Sequence, residues 1–225
     1  MPGDVTSGVT SGRAPAAGEP GGPVAGGDGF ARCPWGASPP EYRHYHDLEW
    51  GLPVADEVRV FEKLCLEGFQ SGLSWLTILR KRAAFRKAFA SFDPGEVAGF
   101  DERDVCRLLE DTSIVRHRGK IEATIANARA VVALRAQGGS LSQLLWAHEA
   151  AAPGRQPPSR LGEVPAATPE SKALSSELRR RGFRFVGPTT VYAAMQALGV
   201  VNDHLAGCHF RAVAAAERAA FSPPG

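Results

Sequence analysis

The residue types best suited to chemistry in this chain are two cysteines and two histidines near its two ends. Cys33 and His46 lie near the start. His204 and Cys208 are four residues apart, so on a helical turn their side chains point the same way. Two thiolates and two imidazoles form the closed tetrahedral set that structural zinc prefers. The spacing differs from that of a zinc finger, so free core cysteines and ordinary histidines are the alternative interpretation.

A second group combines a carboxylate, glycines and a tryptophan. Glu67 follows Leu64 by three residues, which at helical spacing puts the carboxylate on the edge of an apolar stripe. Burying an unpaired carboxylate is costly, so Glu67 needs a partner or a function. Gly68 and Gly72 interrupt the helix, and Trp75 follows one turn later. The pattern predicts a pocket for a flat, cationic aromatic ligand; a salt bridge from Glu67 to a nearby Arg or Lys is the alternative.

Residues 42–51 add aromatic side chains, carboxylates and imidazoles within ten positions, among them Tyr45 and Trp50. Such a segment fits a ligand pocket and also fits an aromatic loop that covers the edge of a core.

A third segment is a glycine-containing turn followed by a helix start. It includes Phe185, Val186, Gly187 and Thr189. Free backbone N–H groups at such a helix start bind anions, for example a DNA phosphate. A plain helix connection that ends at glycine explains the same pattern.

The elements that must position these residues are predicted to be helices. Apolar residues recur at helical spacing between two tails, and two-residue alternation is scarce, so we predict an all-α fold. Asp93 and Pro94 indicate one helix start. We predict a disordered Gly/Pro/Ala-rich tail at 1–29, one domain at 30–212 and a second tail at 213–225.

Composition excludes some classes of protein and leaves others open. The 225 residues are 44% hydrophobic and 22% charged, with a net charge of +2, which is ordinary for a soluble domain and neither demands nor excludes nucleic acid. Four cysteines without a signal peptide or a membrane-spanning apolar run predict a cytoplasmic protein that does not enter a membrane. We expect a monomer.

Together these segments resemble the 3-methyladenine DNA glycosylase I family, over residues from about 32 to 208. The stretches that carry the resemblance are CPW at 33–35, YHDLEWG at 45–51, LEG at 66–68, GLSW at 72–75, IVRHRGKI at 114–121 and VNDH at 201–204. This combination is specific to that family.

The resemblance implies a helix-hairpin-helix DNA glycosylase fold of two lobes, with the hairpin at about 171–199. It implies structural zinc on Cys33, His46, His204 and Cys208, which would join the N- and C-terminal segments. It also implies that 3-methyladenine is flipped out of alkylated double-stranded DNA and released as the free base, which leaves an abasic site. The residues expected around the base are Tyr45, Trp50, Glu67 and Trp75, with Glu67 as the catalytic residue.

One position departs from the pattern of the family, and two differ from other enzymes of the helix-hairpin-helix superfamily. Phe69 stands where a polar residue is expected, which would alter a wall of the pocket. Asn202 occupies the usual position of a catalytic Asp, so Asp203 either serves instead or orients His204. Thr189 lies where bifunctional relatives carry a lysine nucleophile, so we predict a monofunctional enzyme. The alternatives are a different lesion, such as 3-methylguanine, a catalytically silent DNA-damage-binding protein, and a zinc-stabilised interaction module.

Overall fold

A computed structural model describes residues 20–149 and 156–225 of the protein. Helices dominate this part of the chain, as the sequence predicts. The helices are α1 (Pro40–Leu48), α2 (Glu57–Gln70), α3 (Trp75–Ala88), α4 (Pro94–Ala98), α5 (Glu102–Glu110), α6 (Arg118–Ala136), α7 (Leu141–Trp146), α8 (Pro169–Arg180), α9 (Pro188–Ala197) and α10 (His209–Ala220). Two short antiparallel strands, β1 (Val24–Ala25) and β2 (Ala31–Arg32), precede them.

Side chains just before each helix explain where several helices begin. The Asp56 carboxylate accepts the backbone N–H of Arg59 at the start of α2, and Ser74 caps α3. Asp93 accepts the N–H groups of Gly95 and Glu96 beside Pro94, which confirms the helix start predicted there.

Helix α2 is the central element of the fold. Its residues 60–69 are all buried, and it packs against α3, α6, α7 and α9. The end of α2 is held by Lys120 of α6, whose ammonium group donates to the carbonyl oxygens of Phe69 at 2.8 Å and Ser71 at 2.6 Å. The predicted interruption at Gly68 is wrong, because α2 continues through it to Gln70. Because those carbonyls lack helical partners, the contact with Lys120 fixes the point where α2 stops, just before Gly72.

Both predicted tail boundaries differ from the structure. Residues 20–29, expected to belong to a disordered tail, include β1, which pairs with β2; Asp28 also binds Arg32 with two hydrogen bonds. Residues 213–220, expected in the second tail, belong to α10, which buries Ala214 and pairs Arg218 with Glu149. Residues 1–19 of the first predicted tail lie outside the described residues.

Helices α8 and α9 pack against each other across the turn 181–187. Gly182 in this turn has a φ of 91°, in the left-handed region that favours glycine. No helix among the described residues combines the length and apolar character needed to cross a membrane.

Candidate functional site

The four predicted metal ligands converge at one buried point, although they come from opposite ends of the sequence. Their ligand atoms all lie within 4.8 Å of one another. Cys208 Sγ is 3.6 Å from His46 Nε2 and 3.6 Å from His204 Nδ1. Cys33 Sγ is 3.9 Å from His204 Nδ1. Ligand atoms around a tetrahedral zinc ion are about 3.6 Å apart at ordinary bond lengths, so these three sulfur–nitrogen separations are close to those of a zinc site.

Hydrogen bonds behind the two imidazoles leave the correct nitrogen of each ring free for a metal. His46 Nδ1 donates to Asp47 at 2.8 Å, so its Nε2 faces the cysteines. His204 Nε2 donates to the carbonyl oxygen of Trp50 at 3.1 Å, so its Nδ1 faces them. Arg32 in turn binds both oxygens of Asp47. Such outer partners are typical of metal-ligating histidines.

Two glycines make room for these imidazoles. A Cβ atom on Gly36 would lie 2.4 Å from the ring of His46, and one on Gly51 would lie 3.0 Å from Nε2 of His204. Gly51 also has a φ of 84°, which few other residues adopt. The two positions therefore require glycine for the histidines to reach the cysteines.

The two thiols are chemically unequal in the absence of a cation. Hydrogen bonding between them, together with burial, raises the pKa of Cys33, whereas the same hydrogen bond lowers the pKa of Cys208. A bound cation would hold both as thiolates, which is the form that binds metal.

A pocket of about 390 Å³ lies beside this cluster. All four predicted base-binding residues line it, namely Tyr45, Trp50, Glu67 and Trp75. The ring centroids of Tyr45 and Trp75 are 5.5 Å apart. An aromatic wall with a carboxylate in it suits a flat, positively charged ring.

Glu67 is 6% exposed. It both lines a pocket and forms an ion pair, the two alternatives that the sequence left open. Its carboxylate lines the pocket and lies 3.2 Å from the ammonium group of Lys63, one turn earlier on α2. Burial raises the pKa of Glu67, and the charge and hydrogen bond of Lys63 oppose that rise. Burial also raises the pKa of Tyr45, and the nearby Glu67 raises it further, so the phenol keeps its proton.

The pocket includes residues to which the sequence analysis gave no role. Trp35 packs edge-on against Trp50 with centroids 5.0 Å apart. The Tyr42 hydroxyl accepts the backbone N–H of Leu76 at 2.8 Å and so holds the start of α3. Gln70 lies one turn after Glu67 on the same helix and also lines the pocket. The helical spacing from Glu67 is the signal that could have identified Gln70.

Asn202 and Asp203 have separate roles in the structure. The Asn202 side chain donates to the carbonyl oxygen of Arg211 and accepts the backbone N–H of His204. It therefore fixes the backbone around His204. Asp203 is buried, lines the pocket, and accepts hydrogen bonds from Tyr192 at 2.5 Å and Gln196 at 2.8 Å.

The expectation that Phe69 alters a pocket wall is wrong. Its side chain is fully buried in the core, with its ring 4.7 Å from that of Phe85 and 5.8 Å from that of Phe89. Two residues beyond Glu67 on a helix, Phe69 points to a different side of α2, toward α3.

The predicted phosphate-binding residues lie together in the turn between α8 and α9 and in the first turn of α9. Phe185 and Thr189 are exposed and Val186 is buried. The carbonyl of Val186 accepts the Ser175 hydroxyl at 2.6 Å, which ties the turn to α8. No side chain among the described residues caps α9, which begins at Pro188, so the backbone N–H groups that follow this proline in the first turn are available to an anion.

A larger cavity of about 1190 Å³ lies along α10 and residues 156–158. Its lining is mainly glycine, proline, alanine and charged residues, with Tyr192 as its aromatic member. It shares Asp203 with the smaller pocket but lacks the stacked aromatic rings. A nucleobase is therefore better matched by the smaller pocket.

Comparison with known proteins agrees with this geometry. A family model described as methyladenine glycosylase matches residues 35–212. "DNA-3-methyladenine glycosylase 1" of Escherichia coli (strain K12) is 48% identical over 79% of this chain and 95% of its own length. "DNA-3-methyladenine glycosylase" of Haemophilus influenzae is 44% identical over 79% and 96%.

Solved structures give the same result. A crystal structure of 3-methyladenine DNA glycosylase I superposes with a TM-score of 0.76 at 48% identity, over 79% of this chain and 98% of that one. A structure of the Staphylococcus aureus enzyme, solved to explain 3-methyladenine recognition, gives a TM-score of 0.75 at 35% identity, over 80% and 96%. The chain belongs to the methyladenine glycosylase family.

Proposed function

We propose that the protein removes 3-methyladenine from alkylated double-stranded DNA by hydrolysis of the N-glycosidic bond, and that it leaves an abasic site. The observation that carries the proposal is a pocket lined both by the aromatic rings of Tyr45, Trp50 and Trp75 and by the carboxylate of Glu67. The family membership and the 3-methyladenine recognition described for the Staphylococcus aureus relative support it.

The chemistry of the lesion explains why binding matters most. A methyl group at N3 makes the purine a cation, and the base leaves as a neutral molecule that keeps the electrons of the broken bond. Water supplies the oxygen that replaces the base on the sugar. Since the bond is already weak, the main task is to select the damaged base after flipping, which costs least at damaged pairs.

The pocket favours a cation by two kinds of contact. Aromatic faces attract a cationic ring by about 0.5 to 2 kcal/mol for each contact, depending on desolvation. Glu67 accepts a hydrogen bond from the exocyclic amine, and such a charge-assisted bond contributes roughly 1.5 to 3 kcal/mol. Neutral adenine does not gain the attraction of a positive charge to the aromatic faces and to Glu67. A second carboxylate in the pocket, Asp203, is assigned to stabilising positive charge on the sugar.

The α8–α9 pair is assigned as a helix-hairpin-helix that binds a DNA phosphate. The backbone around Phe185, Val186, Gly187 and Thr189 supplies the N–H groups, and the exposed Arg184 adds positive charge. This contact positions the protein on the duplex without reading its sequence.

The cluster of Cys33, His46, His204 and Cys208 is assigned as a structural zinc site, because four protein ligands leave no open position for water. When bound, zinc would supply a cross-link between the two ends of the domain. The proposed enzyme acts in the cytoplasm as a monomer.

One assay tests the activity directly. Methylated duplex DNA incubated with the pure protein should release 3-methyladenine, identified by chromatography, in excess over a protein-free control. Borohydride added during the reaction should trap no protein–DNA adduct, because a monofunctional enzyme forms no Schiff base. Preferential release of 3-methylguanine would indicate a glycosylase with a different preferred lesion. Binding to damaged DNA without release of any base would indicate a catalytically silent DNA-damage-binding protein.

A further inference from the structure

A buried lysine, Lys63, stands directly behind the wall of the base pocket. It lies one turn before Glu67 on α2 and is 9% exposed. Burying a lysine ammonium is unfavourable unless charged and polar partners compensate for the lost water.

Three side chains of the pocket meet at this one ammonium group. Lys63 Nζ is 3.2 Å from Oε1 of Glu67 and 3.6 Å from the centroid of the Trp75 ring. It also donates a hydrogen bond to the hydroxyl of Tyr45. A single cation therefore holds the carboxylate, the indole and the phenol that would contact the base.

The Lys63–Glu67 pair has a direction across the pocket wall. Glu67 lines the base pocket, whereas Lys63 lines a second, smaller cavity, and Tyr45 and Trp75 line both. The pair is neutral as a whole, but its negative end faces the place where a purine would bind. A cationic purine is attracted by the nearby carboxylate of Glu67, whereas a neutral purine gains little electrostatic binding energy from it.

We propose that Lys63 is a positioning residue that keeps the Glu67 carboxylate charged and aimed into the pocket, and so determines the preference for a cationic over a neutral purine. The inference rests on the proposed glycosylase function. Without Lys63, Glu67 would be a buried carboxylate with no cation beside it, and burial would raise its pKa further, so that it would bind a proton instead.

The other charged groups around the pair do not replace Lys63. Tyr45 of α1, Glu49 directly after α1, and Arg82 of α3 face it. Arg82 Nη2 is already bound to Glu49 at 2.8 Å. Asp203 also lines the pocket and adds negative charge. The charge of Lys63 also lowers the pKa of Glu49, so a double variant is needed to assign a changed pH profile to Glu67.

The test is the pH profile of single-turnover 3-methyladenine release by the wild type and Lys63→Met, after subtraction of protein-free release. The variant should lose about tenfold in rate for each unit by which the pKa of Glu67 exceeds the assay pH, and should recover as the pH rises. Lys63→Gln, which keeps a hydrogen-bond donor without the charge, should behave in the same way. Lys87→Met, which removes an exposed lysine of α3, should match the wild type.

A double variant separates positioning from a purely structural role. Lys63→Met combined with Glu67→Gln has no buried carboxylate to ionise, so its rate should lack the recovery at high pH. Single variants that match the wild type at every pH, or that lose the same factor at every pH, would overturn the inference. Failure of the wild type to release 3-methyladenine would instead overturn the proposed function.

Discussion

At the scale of single residues, the carboxylate of Glu67 should account for much of the discrimination between cationic 3-methyladenine and neutral adenine. Glu67→Gln removes the charge and keeps the shape, so single-turnover release of 3-methyladenine should fall about ten- to hundredfold, which corresponds to the loss of a charge-assisted hydrogen bond. Release rates and thermal midpoints should be measured together, because the change also leaves Lys63 without its partner.

A second glutamate of α2 provides a matched control. Glu62 is 7% exposed, accepts a hydrogen bond from Arg86 at 2.8 Å, and lines the smaller cavity instead of the base pocket. Glu62→Gln should therefore affect stability without a comparable loss of release. Equal losses in the two variants would show that the Glu67 effect is structural.

The sequence could predict residues whose chemistry is visible in their type. Glu67 and Trp75 were identifiable because a carboxylate and an indole beside glycines indicate a pocket. Lys63 was not, since a lysine one turn from a glutamate usually forms an exposed pair on a helix surface. Its importance comes from the burial of all sides of α2, which depends on the packing of four other helices.

At the scale of elements, the turn between α8 and α9 should depend on Asn127 of α6. The Asn127 amide donates to the carbonyl of Arg184 at 3.1 Å and accepts its N–H at 2.7 Å, so one buried side chain holds both backbone groups. Asn127→Ala leaves them unpaired, and the free energy of unfolding should fall by about 1 to 3 kcal/mol. The affinity for undamaged duplex DNA should also fall, while release at saturating protein changes little.

Gln137→Ala, at the exposed end of the same helix, is the control for Asn127 and should leave both quantities unchanged. Chemical denaturation measures the free energy of unfolding, and fluorescence anisotropy on labelled duplex measures the affinity for DNA. An Asn127→Ala protein that is destabilised but binds duplex normally would argue against the turn as the phosphate contact.

Among the elements, the start of α4 at Asp93 and Pro94 was predictable from local capping chemistry. The helix α10 was missed, although its run of alanines favours a helix. Its stability also depends on distant contacts, such as the ion pair between Arg218 and Glu149, which sequence spacing does not reveal. The strand pair before α1 was missed because two residues form too short a pattern to recognise.

At the scale of the whole molecule, the metal cluster should be a major source of stability. It links side chains 171 positions apart, and a cross-link that closes a loop of this size contributes roughly 3 to 5 kcal/mol. Removing the metal with a chelator should lower the thermal midpoint by about 10 °C, since each kcal/mol corresponds to about 2 to 4 °C in a protein of this length. Calorimetry and metal analysis, with about one zinc expected per chain, test this.

Acid should have the same effect as chelation, because thiolates and neutral imidazoles bind metal and their protonated forms do not. The midpoint should therefore fall as the pH is lowered, with release of zinc. His209→Ala serves as a control, because His209 adjoins the cluster in sequence but is not among its ligands. A midpoint unchanged by chelation and acid, or protein purified without zinc, would contradict the site.

The junction of Cys33 and Cys208 also has a mechanical consequence. With a metal bound, residues 33–208 form a closed ring, and tension applied at the two termini would reach the helices inside the ring only after a metal–sulfur bond breaks. Single-molecule pulling should then show a rupture of the metal–sulfur link, followed by extension of the released chain to its full contour length. The rupture should be absent when a chelator has removed the metal.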